Sequence, residues 1–282
     1  MSKIEDYNTE KKITWCPGCG NFGINMSLKQ ALVNLKKDPS EVVMSFDIGC
    51  NGNGAEFIDC FRIKGLHGRS IPLAVGAHLA NRKMTVIADI GDGGCLHEGI
   101  DHLIHAIRSN YDITILIHNN ENFALTTGQA TATTRRDKSV SVYPDGKPEG
   151  NINIGELVLS LNPSFFARGY SGNMQQLTEI IETGIKHKGL SVIEIMQLCP
   201  SYNKECSPEW FQQRIKITDK KQTISDALQI VKDTEHIYTG VIYQNENMSD
   251  FYSRLENRTK IKTELVQEVK NHNITNILST FE

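Results

Sequence analysis

The chain has 282 residues and a formal net charge of −3, which gives no electrostatic case for binding nucleic acid. No apolar run approaches the length of a membrane span, and no internal repeat or low-complexity segment interrupts what reads as one substantial α/β layer structure. The polar start, Met1 to Asp6, shows no signal peptide, and seven cysteines are an odd count for a disulfide framework, so a reducing cytoplasm is the expected setting.

The first chemistry-bearing segment is Trp15-Cys16-Pro17-Gly18-Cys19-Gly20. Two cysteines separated by two residues can present both thiolates to one metal centre. Cys50, in Ile48-Gly49-Cys50, and Cys199, in Leu198-Cys199-Pro200, are remote in sequence but could complete a four-thiolate set. Cys60, Cys95 and Cys206 read as small, partly buried residues without a role, although Cys95 stands beside a glycine-rich turn.

Met84 to Gln129 is patterned as a βαβ unit. Two short β-branched-rich runs, Met84–Ile90 and Asp112–His118, flank a stretch in which Leu96, Ile100, Leu103, Ile104 and Ile107 recur at helical spacing. A right-handed crossover makes such strands near neighbours. Asp92, in Gly91-Asp92-Gly93-Gly94, and Asn120, in Asn119-Asn120, then both follow carboxyl ends of strands, where ligands of open α/β sheets bind. A carboxylate and an amide oxygen are hard ligands suited to magnesium, which is commonly held by one or two protein groups plus phosphate oxygens. The glycines admit a phosphate close to the backbone, and a helix opening near Cys95 would turn free N–H groups towards it. His102 and His105, three apart on the crossover helix, read as helix-face residues rather than ligands.

Residues 137–155 are rich in Gly, Pro and charge and lack periodicity, so a long loop is expected there. The α/β alternation resumes with a helix over Met174–Lys188 and a strand over Ser191–Met196. From Thr218 the chain is more polar. This divides it into a cofactor-binding domain at 1–217 and an extension at 218–282 that packs on the core or on a partner.

Taken together, Gly-Asp-Gly followed by Asn-Asn is similar to the thiamine diphosphate signature. With the cysteines, the chain resembles the beta subunits of 2-oxoacid:ferredoxin oxidoreductases, the family of pyruvate and 2-oxoglutarate synthases. The resemblance lies in WCPGCGNF (Trp15 to Phe22), DIGCNG (Asp47 to Gly52), LHGRSIPLAVGAHLAN (Leu66 to Asn81), IGDGG (Ile90 to Gly94), HLIHAIRSNYDIT (His102 to Thr114), NNENFALTTGQ (Asn119 to Gln129) and CPSYN (Cys199 to Asn203). It implies a thiamine diphosphate-binding fold, an open and mainly parallel sheet flanked by helices. It further implies a [4Fe-4S] cluster on Cys16, Cys19, Cys50 and Cys199, and Mg2+ on Asp92, Asn120 and the backbone carbonyl of Asn122. Ile48, Gly49, Cys50, Asn51, His67, Gly91, Gly93, Gly94, Ala124, Leu125 and Thr126 would surround the thiamine diphosphate.

The implied activity is reversible oxidative decarboxylation of a 2-oxoacid, with coenzyme A as acyl acceptor and ferredoxin as electron acceptor. The glutamate that activates the cofactor is expected on an alpha, or alpha plus gamma, partner subunit. Three positions depart from the family pattern: Asn53 where a basic residue is common, Gly94 where Asp follows Gly-Asp-Gly, and Phe123-Ala124 where Tyr-Gly is usual. Asn53 is thereby a candidate substrate contact that has lost a charge-assisted hydrogen bond. Two other classes share the same residues: a non-oxidative thiamine-dependent decarboxylase or synthase subunit with a structural zinc site, and a non-catalytic cofactor-binding subunit.

Overall fold

A computed structural model describes residues 2–269, 275 and 279–280. Its centre is an eight-stranded sheet in the order β2-β1-β3-β4-β8-β7-β10-β9. The strands are β1 (Val42–Phe46), β2 (Phe61–Lys64), β3 (Thr85–Gly91), β4 (Thr114–Asn119), β7 (Phe165–Tyr170), β8 (Ser191–Met196), β9 (Ile215–Ile217) and β10 (Ile237–Gln244). A separate two-stranded ribbon joins β5 (Asn122–Phe123) to β6 (Gln129–Ala130). All pairings in the large sheet are parallel except β10 with β7, so the open, mainly parallel α/β architecture is as expected.

Strands β1, β4, β7 and β8 are buried along their whole length, which is why they show no apolar–polar alternation, and the charged residues inside β7 and β8, Arg168 and Glu194, pair with each other at 2.8 Å. Helices cover both faces. On one side α1 (Gly20–Asn34) and α5 (Met174–Lys186) bury Leu28, Leu32, Leu177 and Ile181 against Met44, Leu116 and Ile193. On the other, α2 (Ser70–Ala80), α3 (Ile100–Ser109), α4 (Ile154–Ser160) and α7 (Ile224–Val231) pack Ile71, Leu103, Val158 and Val231 onto Val86, Ile115 and Val192. The short α6 (Pro208–Arg214) packs Phe211 against Tyr170 beyond the end of β7. Among the described residues no helix is long and apolar enough to cross a membrane.

Two local differences from the sequence reading matter. The crossover does not open as an α-helix at Cys95: Gly94–Glu98 forms a π-helical turn, and α3 begins only at Ile100. Where the turn ends, the backbone packs directly on another segment: a Cβ at Gly99 would lie 2.5 Å from the carbonyl oxygen of Gly68, itself in the left-handed region at φ +67°. Beyond residue 218, β10 adds to the main sheet, with Gly240 opposite Arg168. Farther on, Glu264 accepts hydrogen bonds from the Arg82 backbone and guanidinium at 3.0–3.1 Å, while that guanidinium stacks 3.7 Å from the Tyr252 ring centre.

Candidate functional site

Four adjacent strands of the sheet, β1, β3, β4 and β8, run parallel, so their carboxyl ends share one edge about 4.8 Å apart from strand to strand. Cys50, Asp92, Asn120 and Cys199 each follow one of those ends within a few residues. The topology thus gathers residues drawn from across 150 positions of sequence, and two adjoining cavities lie where they meet.

The first cavity is lined by Ile48, Gly49, Cys50, Asn51, His67, Gly91, Asp92, Gly93, Gly94, Asn120, Asn122, Ala124, Leu125 and Thr126, the whole set that sequence reasoning assembled for the cofactor and its metal. Asp92 is 1% exposed. Burial raises its carboxyl to about 6, against the lowering effect of hydrogen bonds from Thr131 and Thr133. Those hydroxyls meet Oδ2 at 2.6 and 2.5 Å, which orients the group and keeps its other oxygen free of them. Asn120 Oδ1 accepts from the Asn122 N–H at 3.0 Å while its Nδ2 donates to Gln197 Oε1 at 3.1 Å. Between them Glu121 adopts φ +59°, and its carboxylate is tied to Arg135 at 3.0 Å and Lys138 at 3.7 Å. The Asn-Glu-Asn turn is therefore held from both sides.

The cavity wall depends on missing side chains. A Cβ at Gly93 would stand 2.3 Å from the Phe123 ring, and one at Gly94 only 1.9 Å from Asp47 Oδ2. A buried carboxylate, an amide carbonyl and a glycine-lined cradle make a donor set of hard oxygens fitted to a magnesium diphosphate. A dication there would favour the ionised carboxylate that burial disfavours.

The second cavity, about 200 Å³, is lined by Cys16, Cys19, Cys50 and Cys199 together with Trp15, Asn53, Gln197 and Tyr202. Cys50, Asn120, Ala124 and Leu125 line both cavities. Burial and the neighbouring Cys19, Cys199 and Cys16 push the Cys50 thiol up to about 12, and burial raises Cys19. Four thiolates facing one space repel each other, and a cationic iron core would relieve that repulsion. Among the described residues no three His, Cys, Asp or Glu side chains close on a single-ion site. The four cysteines border one cavity. Ser201 Oγ reaches Cys16 Sγ at 3.2 Å and Gln197 Nε2 reaches Cys19 Sγ at 3.7 Å, contacts of the kind that tune thiolate-bound metals. Trp15, edge-on to Phe22 and Phe57, donates to the Cys50 carbonyl at 2.7 Å and braces two cysteine loops against each other.

Cys60 and Cys206 line neither cavity, and Cys95 is sealed in the core with its thiol pushed up by burial. His105 stands exposed on α3, and His102 lies 3.8 Å from Asp101. Asn53 lines the cysteine cavity, and its Oδ1 accepts from Lys64 Nζ at 3.4 Å. Sequence reasoning met Phe123 only as a departure from the family pattern and did not reach Glu98, both of which line the first cavity, nor Thr131 and Thr133, which hold Asp92. A polar residue inside an apolar strand was a readable signal for Asp89 and His118, which meet at 2.9 Å behind the cavity.

Comparison with known proteins agrees with this geometry. Residues 40–195 match the family model of the thiamine pyrophosphate enzyme C-terminal TPP binding domain, and 199–260 match the C-terminal model of the pyruvate ferredoxin oxidoreductase beta subunit. The 2-oxoacid:ferredoxin oxidoreductase subunit beta of Saccharolobus solfataricus is 37% identical over 262 residues, covering 87% of this chain and 86% of that protein. The 2-oxoglutarate oxidoreductase subunit KorB of Mycobacterium tuberculosis is 32% identical over 201 residues, 71% of this chain and 54% of that one. In fold, the chain is similar to a solved 2-oxoglutarate:ferredoxin oxidoreductase from Magnetococcus marinus with 2-oxoglutarate, coenzyme A and succinyl-CoA bound. The TM-score is 0.86 at 24% identity, covering 100% of this chain and 96% of that one.

Proposed function

This chain belongs to the beta subunits of the 2-oxoacid:ferredoxin oxidoreductases, and on that premise we propose how its two cavities divide the work. The first holds magnesium thiamine diphosphate, with Asp92, Asn120 and the Asn122 carbonyl on the metal. The second holds a [4Fe-4S] cluster on Cys16, Cys19, Cys50 and Cys199. The observation that carries this reading is the shared wall: Cys50 belongs to both cavities, so a cluster bound through it adjoins the thiamine cofactor. When bound, thiamine diphosphate supplies the carbanion chemistry that cleaves a 2-oxoacid.

The chain's own residues bind and orient. Thr131 and Thr133 hold the Asp92 carboxylate, Gln197 and the Asn122 N–H fix the Asn120 amide, and Gly93 and Gly94 leave room for the diphosphate. Trp15 keeps the Cys50 loop in register with the Cys16–Cys19 loop. The reaction read from these parts is coenzyme A-dependent oxidative decarboxylation with electrons passed singly to ferredoxin, in a reducing cytoplasm that keeps the thiols free. An alpha, or alpha plus gamma, partner completes the site with the activating glutamate, and residues 218–282 form an extension that packs on the core or on that partner, with 270–274, 276–278 and 281–282 lying outside the described residues.

Anaerobic purification with the partner subunit tests the reading. Iron, sulfide and electron paramagnetic resonance should report a cluster that Cys199→Ser loses and Cys206→Ser keeps, and a 2-oxoacid should drive ferredoxin reduction. Equal cluster content in wild type and Cys199→Ser would overturn the cysteine assignment.

A further inference from the structure

Behind the glycine-lined cavity lies a buried polar chain that reaches the cavity through Asn51. Asp47, Asn51, Asp89 and His118 are each at most 6% exposed. Asn51 Nδ2 donates to Asp47 Oδ1 at 2.8 Å and to Asp89 Oδ1 at 3.2 Å. An amide set between two carboxyl oxygens is best placed with its NH2 towards them, because one NH2 serves both Asp47 and Asp89, whereas a carbonyl turned that way could accept only from a carboxyl that carries a proton. The carbonyl oxygen is therefore held on the opposite side. There it lies 3.3 Å from where a Cβ at Gly49 would stand and 3.1 Å from one at Gly91, and both glycines line the cavity. Among the described residues no donor reaches this oxygen, and it is not one of the sealed polar atoms.

Of the two carboxyls, Asp89 is tied a second time, while Asp47 Oδ2 is buried with no hydrogen-bond partner and is confined only by packing. His118 Nε2 meets Asp89 Oδ2 at 2.9 Å, and its Nδ1 meets Asn21 Oδ1 at 2.9 Å. Asp47 Oδ2 occupies the space that any side chain at position 94 would enter, 1.9 Å from a Cβ there, so Gly94 leaves the carboxyl its place.

We propose that Asp47 and Asp89 are positioning residues that act through Asn51, presenting its carbonyl oxygen to an N–H or O–H donor of the ligand in this cavity. The proposal rests on reading the cavity as the thiamine diphosphate site. In that site the donor is the exocyclic amino group of the aminopyrimidine or a magnesium-bound water.

The test is a double-mutant cycle on the complex assembled with its partner subunit, with the Kd for magnesium thiamine diphosphate measured by calorimetry. One hydrogen bond to a neutral donor is worth roughly 0.5–1.5 kcal/mol, so Asn51→Ala should raise Kd about two- to tenfold. Asp89→Asn, whose amide can donate as well as accept and so lets Asn51 turn, should also raise it. The double variant should be no worse than Asn51→Ala alone. Should the Asp89 variant fail to assemble, Asp47→Asn takes its place in the cycle.

Magnesium with inorganic diphosphate separates the two donors: a loss confined to thiamine diphosphate points to the amino group, and a loss with both points to the metal-bound water. The clamp is overturned if Asn51→Ala binds like wild type, or if Asp89→Asn costs the same factor with and without Asn51. A purely structural role would give that second, additive result, with matching falls in the unliganded thermal midpoint. If instead Asp92→Asn also binds like wild type, the thiamine diphosphate reading itself has failed. A normal Asp92 loss with no Asn51 effect condemns the clamp alone.

Discussion

Gly94→Ala isolates the most crowded point of the site. The new Cβ would lie 1.9 Å from Asp47 Oδ2, whereas favourable heavy-atom contacts run at about 3.5–4.0 Å, so roughly 1.5 Å of movement is required. Asp47 is wholly buried and held by Asn51, which leaves it no cheap retreat. Overpacking of this kind costs about 1–3 kcal/mol, and we expect the upper end, near 3. Asp47→Ala removes the opposing oxygen at a cost of its own, about 1–3 kcal/mol for stranding part of the Asn51 NH2 group. In that background the nearest remaining neighbour of a residue-94 Cβ is the Gly68 nitrogen at 3.6 Å, an ordinary contact. Because Gly94 is not in the left-handed region, alanine there should then cost under about 1 kcal/mol or even stabilise slightly. The cycle should show a coupling of about 2 kcal/mol or more by guanidinium denaturation. Additivity within about 0.5 kcal/mol, the behaviour of independent sites, would refute the steric argument.

Three further outcomes are expected. Asp92→Ala in the assembled complex should weaken magnesium thiamine diphosphate binding at least about tenfold by calorimetry, since metal sites lose that much even when an outer-shell partner is removed; unchanged affinity would remove Asp92 from the metal. Burial raises the Asp47 carboxyl from 3.8 to about 7, so the folded state holds its proton more tightly than the unfolded chain. Its contribution is therefore fully present near pH 4, declines as pH rises to about 7 and is flat above, and the stability of wild type relative to Asp47→Asn should fall over that window. A difference that does not vary with pH would contradict it. Asn53→Lys should reorder pyruvate, 2-oxoglutarate and branched-chain 2-oxoacids by kcat/KM if Asn53 faces substrate, because it restores a charge-assisted donor beside Lys64; an unchanged order in a fully loaded complex would exclude that contact.

What the sequence disclosed and what it withheld differ for a physical reason. Ser191–Met196 was legible as a strand because burial on both faces leaves β-branched and apolar residues around one Glu194, which Arg168 pairs, and Met174–Lys188 as a helix, ending in the structure at Lys186, because its apolar residues keep one face. Cys50, Asp92, Asn120 and Cys199 were legible because each sits in a short motif at the end of a strand. The π-helical turn at Gly94–Glu98 was not, since it lies against a contact between Gly68 and Gly99, about thirty residues apart, that no local pattern marks. Thr131 and Thr133 gave little sign, because a threonine that steadies a carboxylate looks in sequence like any polar loop residue.

Gly94 shows the limit most sharply. As a departure from the family pattern it read only as a lost acid. In three dimensions its missing side chain is the space that Asp47 fills, so a carboxyl still stands beside the Gly-Asp-Gly turn, supplied by the residue that follows β1 instead of by the turn itself. A motif scored position by position registers the substitution as damage. The packing shows a side chain at position 94 and the Asp47 carboxyl to compete for one space, and the coupling in the Gly94→Ala and Asp47→Ala cycle measures how strictly the fold enforces that exclusion.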